Sequence, residues 1–134
     1  MEKFEIMPHT ADLEIRVWGE DRKELFLNAF LAMSEALKAE AEEGGVKRRI
    51  KIKSSDFESL LVDFLSEVLY LVQAKGEIYK KIIFQKFSEK EIEAEIFGKK
   101  AERFGEDIKA VTYHNLNIRQ KEDGIWEATI LFDV

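Results

Sequence analysis

Asp12 and Asp133, at opposite ends of the chain, are the residues whose placement suggests chemistry most directly. Asp12 follows Met7-Pro8-His9-Thr10-Ala11 and opens the alternating run Leu13 to Trp18, while Asp133 closes the run Trp126 to Phe132, one residue before Val134. If the two runs pair antiparallel, the start of one lies beside the end of the other. Parity agrees. Asp12 shares a face with Glu14 and Arg16, and Asp133 with Glu127 and Thr129; Leu13, Ile15, Val17, Trp126, Ala128, Ile130 and Phe132 take the opposite faces. The terminal carboxylate of Val134 adds a third anionic group. Gathered carboxylates call for a cation or a proton, and all-oxygen ligation suits calcium, magnesium or manganese. The structural alternative is that Asp12 caps a turn and Asp133 belongs to a fraying strand end.

Other chemistry-bearing residues are weaker. His9 and His114 stand alone, without the His-x-x-x-His or Glu-x-x-His spacing of a metal site. A hydrogen-bonding structural role suits His114, and His9 stays open. The stripe Lys47, Arg49, Lys51 and Lys53 has the look of a phosphate track, but Glu91, Glu93 and Glu95 form an acidic stripe on another alternating segment. Cross-strand pairing of the two satisfies both and is the favoured reading. Lys109 lies between apolar neighbours in Ile108-Lys109-Ala110-Val111-Thr112-Tyr113-His114 and, taken alone, reads as a solvent-facing lysine. No glycine-rich phosphate loop, Gly-x-Ser-x-Gly elbow or zinc-protease signature occurs.

Composition narrows the classes. The 134 residues suffice for one domain with a real core. There is no cysteine, which excludes disulfides, thiolate catalysis and sulfur-ligated zinc. Charged residues make up 36% of the chain, a fraction that with the missing cysteine fits a protein built to tolerate heat. The net charge of −6 argues against a dedicated nucleic-acid binder, so any role near tRNA is expected to be indirect, through a protein partner. No apolar run approaches the roughly 18 residues of a membrane span. The start Met1-Glu2-Lys3-Phe4-Glu5 lacks the regions of a signal peptide, so no membrane association and a cytoplasmic location are expected.

The elements that must position these residues follow from periodicity. Phe4 to Met7 is a short strand ended by Pro8. Asp21 and Glu24 have capping-box spacing ahead of a helix that carries Leu25, Phe26, Ala29, Phe30, Met33 and Leu37, running to about Glu42 before Gly44-Gly45. Val46 to Lys53 alternates. Ser55 and Glu58 form a second capping box for a helix with Phe57, Leu60, Leu61, Phe64, Leu65, Val68, Leu69 and Val72 on one stripe, closed by Gly76. Ile78 to Phe87, Glu91 to Phe97, Ile108 to Tyr113, Leu116 to Lys121 and Trp126 to Phe132 read as strands. Asp123-Gly124 is a two-residue hairpin signal, and 99–107 reads as a polar loop. The expected fold is α+β: a single domain over 1–134, two amphipathic helices packed on a largely antiparallel sheet.

Two runs also carry a resemblance. His9-Thr10-Ala11-Asp12, a strand, Gly19 and Glu24-Leu25-Phe26-x-x-Ala29 resemble the opening of archease; Ile108-Lys109-Ala110-Val111-Thr112-Tyr113-His114 and the terminal Phe132-Asp133-Val134 resemble its ending. The likeness covers nearly the whole chain. It implies an accessory protein, not an enzyme, that assists an RtcB-type RNA ligase in tRNA splicing. Such a protein promotes guanylylation of the ligase's histidine from GTP and allows repeated turnover. It implies metal ligation by Asp12, Asp133 and Val134, with calcium first among the divalent cations. The resemblance marks Lys109 for partner activation, and His9 is expected to share that role. A chaperone-like action on a tRNA-modifying methyltransferase is the second implied role. A free-standing metal-dependent hydrolase ranks third, because neither a pocket nor a positioned base is evident.

Overall fold

Ten elements follow one another in the computed structural model, which describes residues 2–7 and 12–134. They are β1 (Phe4–Ile6), β2 (Asp12–Gly19), α1 (Arg22–Ala36), β3 (Ala39–Ala41), β4 (Val46–Lys53), α2 (Phe57–Lys75), β5 (Glu77–Phe87), β6 (Glu91–Phe104), β7 (Ala110–Gln120) and β8 (Trp126–Asp133). His9 and the stop at Pro8 lie outside the described residues.

The strands form two antiparallel sheets where the sequence suggested one. The first has the order β1-β2-β8-β7, so β8 has β2 on one edge and β7 on the other. In the second, β6 is central, with β5 along one edge and β4 then β3 along the other. Both helices touch both sheets: α1 packs on β1, β2, β8 and β5, and α2 on β7, β4, β5 and β6. Leu13, Ile15, Val17, Ile130 and Phe132 from the first sheet thus join Ile50, Ile52, Ile92, Ala94 and Ile96 from the second in one core. At its centre Phe26 stacks on Phe57 and Phe64, with ring centroids 5.1 and 5.7 Å away. The expected stripes of both helices are buried there, apart from Phe57 at the start of α2, which is half-buried.

Local chemistry explains where the structure departs from periodicity. α1 ends at Ala36, not near Glu42, because another segment satisfies its last carbonyls. The Gly105 N–H donates to the Leu37 and Lys38 oxygens at 3.1 and 2.9 Å, and Lys38 turns the chain at φ 49°. The residues beyond then pair with β6 as β3. That pairing makes most of the expected 99–107 loop a strand, since β6 runs on to Phe104. The cap of α2 is Asp56, one residue past Ser55, its carboxylate accepting from the Ser59 N–H at 2.7 Å. The Asp21 carboxylate accepts from the Glu24 N–H at 2.7 Å as expected, while Glu24 reaches back to the N–H of Glu20 at 2.9 Å. Ile108 to Tyr113 and Leu116 to Lys121 merge into β7, irregular between Thr112 and Asn117, where Asn115 has φ 57°. The hairpin after β7 holds Glu122, Asp123 and Gly124 between the bonded Lys121 and Ile125, a longer loop than the two residues expected.

Gly76 and Gly98 are among the glycines that the backbone requires. Gly76 closes α2 in the left-handed region at φ 63°. At Gly98 a Cβ would lie 1.8 Å from the Ile78 oxygen, so only glycine lets β5 run this close to β6.

Candidate functional site

The first sheet brings the chain's extremities together. Asp12 and Asp133 are direct partners in the β2–β8 register, which continues Leu13 with Phe132 and Ile15 with Ile130. This is the antiparallel arrangement that parity suggested, and its cause is the core. Leu13, Ile15, Val17, Ala128, Ile130 and Phe132 are all buried on one face, and slipping by one residue would expose every one of them. Burial on the inner face thereby places two carboxylates on the outer one. Directly opposed residues have Cβ atoms about 4.5–5.5 Å apart, and like charges at that spacing repel.

The third neighbour comes from β7. Ala110 pairs with Asp133 from the other edge, and the Lys109 N–H donates to the Asp133 carbonyl oxygen at 2.7 Å. The Gln73 side-chain amide, near the end of α2, donates to the Ile108 carbonyl at 3.0 Å and steadies the approach to Lys109. Gln73 was not singled out from sequence; its only signal is a polar residue beside Val72 on a mostly apolar helix. Asp12, Lys109 and Asp133 are exposed, whereas Val134 is half-buried against the core.

Among the described residues neither aspartate has a side-chain partner, a condition shared on this face by the exposed Glu5 but there without a second carboxylate opposite. Elsewhere on the same outer face Glu14 pairs with Arg16 at 3.3 Å. Glu127 accepts from the Trp18 indole at 3.0 Å and from Arg119 at 3.2 Å, and these bonds, Trp18 foremost, hold its carboxyl below the usual range against the opposing effect of burial. Among the described residues no hydrogen bond or ion pair engages the side chain of Asp12 or Asp133. No group of three or more His, Asp or Glu side chains set to hold a metal occurs among the described residues either.

The remaining sequence candidates lie elsewhere. His114 is exposed on the irregular part of β7, its N–H donating to the Thr112 hydroxyl at 3.2 Å. Lys47, Arg49, Lys51 and Lys53 face Phe97, Glu95, Glu93 and Glu91 across the β4–β6 register, the pairing expected from the opposed stripes. An element invisible to periodicity is the buried Glu77, which takes the Arg48 guanidinium at 2.9 and 2.7 Å and the Tyr79 hydroxyl at 2.6 Å. Arg48 holds the Glu77 carboxyl below its ordinary range, while burial and Glu77 push the Tyr79 hydroxyl well up.

Comparison with known proteins points one way. The family model described as the Archease protein family (MTH1598/TM1083) matches residues 4–134. A protein archease from Methanosarcina barkeri is 37% identical, covering 98% of this chain and 96% of its own length. One from Pyrococcus furiosus is 32% identical across 100% of both. Among solved structures, protein 1598 of Methanobacterium thermoautotrophicum superposes with a TM-score of 0.70 at 30% identity over 100% of each chain. A Thermotoga maritima archease, described as a "possible chaperone", gives a TM-score of 0.71 at 20% identity over 96% of this chain and 94% of that one, a likeness of fold alone.

Proposed function

The chain belongs to the archease family, and from that premise we propose that it is an accessory protein that activates an RtcB-type RNA ligase in tRNA splicing, acting through the Asp12–Asp133 tip. The observation that carries the proposal is the register pairing of two exposed carboxylates that no other described side chain engages. A structural carboxylate is normally hydrogen-bonded or ion-paired, as Glu77 and Glu127 are. Two opposed and unpartnered ones suit a cation better than they suit the fold.

The donor set fits a hard divalent ion: Asp12, Asp133 and the Val134 carboxylate would hold calcium, or magnesium or manganese in its place. Bound there, such an ion would supply positive charge that attracts phosphate oxygens. The chain's own residues do the rest. The β2–β8 pairing fixes the spacing of the two carboxylates. The main-chain bond to Asp133 and the Gln73 hydrogen bond hold Lys109 beside them, where its ammonium meets a phosphate or a ligase carboxylate. In this reading the protein carries no catalytic residue and promotes guanylylation of the ligase histidine.

The test is multiple-turnover joining of tRNA halves by the ligase, with and without this protein. Stimulation by the wild type, lost in Asp12→Ala and Asp133→Ala variants that melt normally, supports the proposal. Full stimulation by both variants overturns it.

A further inference from the structure

The outer face of the second sheet has a charge balance opposite to that of the whole chain. β6 places Glu91, Glu93, Glu95, Phe97 and Lys99 on this face in alternation, flanked by the basic stripe of β4 and by Lys81 and Lys86 of β5. Each glutamate is matched: Glu95 by Lys47 at 3.2 Å, Glu93 by Arg49 at 3.7 Å, Glu91 by Lys86 at 3.1 Å. Lys51 and Lys53 add only longer-range charge to Glu91, and Lys81 and Lys99 form no ion pair among the described residues. A surplus of lysine therefore stands on one sheet face of a protein whose net charge is −6.

Apolar groups also reach this face. Ile83 is 44% exposed, an unusual value for isoleucine on a strand flanked by charges. The Phe97 ring is half-buried with the Lys81 ammonium 5.4 Å from its centroid. Beside it opens a cavity of about 330 Å³ lined by Ala41, Ile78, Lys80, Phe97, Gly98 and Lys99, so its walls are mostly apolar and its lysines sit at the rim. The β5 irregularity between Tyr79 and Lys81 brings Lys80 there, which is why no strand period predicts the cluster.

We propose that this face binds single-stranded RNA. Lys51, Lys53, Lys81 and Lys99 lie along the backbone phosphates, and the Phe97 ring with its neighbouring cavity accepts an unstacked base. An aromatic ring set among basic side chains on a sheet face is a feature that sequence-tolerant single-strand binding uses, and Phe97 beside Lys81 and Lys99 has that form. Charge complementarity alone would serve an acidic peptide equally; the flat Phe97 ring beside an apolar cavity favours a base, which can stack on it. The proposal goes beyond the accessory reading and does not depend on the acidic tip.

The experiment is fluorescence anisotropy of a labelled single-stranded oligoribonucleotide titrated with the full chain at several salt concentrations. Wild-type affinity should fall linearly with salt on logarithmic axes. Lys81→Glu/Lys99→Glu should weaken binding at least about tenfold and flatten the slope by roughly 0.7 for each phosphate that is no longer neutralised. Both sites are exposed, and unchanged far-UV circular dichroism confirms that the variant folds. Asp12→Ala/Asp133→Ala should bind as the wild type does, which separates this surface from the tip. Absence of salt-dependent binding, an unaffected double-lysine variant, or equal competition by polyglutamate would each overturn the proposal.

Discussion

Glu77 and Asp133 are both acidic residues at strand ends, one opening β5 and the other closing β8, and the fold treats them in opposite ways. Glu77 is 3% exposed and fully engaged, by a two-pronged guanidinium and a tyrosine hydroxyl. Asp133 is exposed, faces another aspartate, and has no side-chain partner among the described residues. Burial of a carboxylate is tolerated only with full hydrogen bonding, so Glu77 belongs to the structure. Exposure of two opposed carboxylates slightly destabilises the strand pair, so Asp133 adds nothing to the fold that a neutral residue would not.

That contrast can be broken by substitution. The largest effect falls on the tip: Asp12→Ala or Asp133→Ala should lower ligase stimulation by about 10–100-fold, the scale of disturbing a metal site, while the melting temperature stays equal or rises as the repulsion is relieved. Lys109→Ala should reduce stimulation by about tenfold, the worth of one charge-assisted hydrogen bond, without changing divalent-ion affinity. The opposite pattern belongs to Glu77→Ala. Leaving the Tyr79 hydroxyl unpartnered should cost about 1–3 kcal/mol in urea unfolding, with stimulation preserved at temperatures where the variant is folded.

The smallest effect is a pH dependence confined to the structural acid. Because Arg48 depresses the folded pKa of Glu77, its contribution is fully present above the unfolded carboxyl value of about 4.3 and disappears as pH falls through the folded value. The stability difference between wild type and Glu77→Gln should therefore be flat at neutral pH and shrink only on acidification below about pH 4. A difference that changes between neutrality and mild acid would mean that Glu77 is not held as described.

The same contrast explains what the sequence made legible. The Asp12–Asp133 pairing was readable because both strands alternate and the buried parity fixes the register. The β4 and β6 charge stripes were readable for the same reason, and α2 because its apolar stripe repeats every turn. The Glu77 cluster was not, since Arg48 shares the inner parity with Val46, Ile50 and Ile52 and finds its partner on β5, a separate strand. The end of α1 was equally hidden, because Leu37 and Lys38 are capped by Gly105 and Glu106, supplied from after β6. The Lys99 to Arg103 stretch has a polar composition that resembles a loop; pairing with β3 and β5, not its own pattern, makes it a strand.

Calorimetric titration of calcium into the wild type and into Asp12→Ala/Asp133→Ala tests the tip most directly. One ion bound per chain in the wild type and none in the variant is the expected result. Equal binding by both proteins, or none by the wild type with calcium, magnesium or manganese, would contradict a metal site at the paired strand ends.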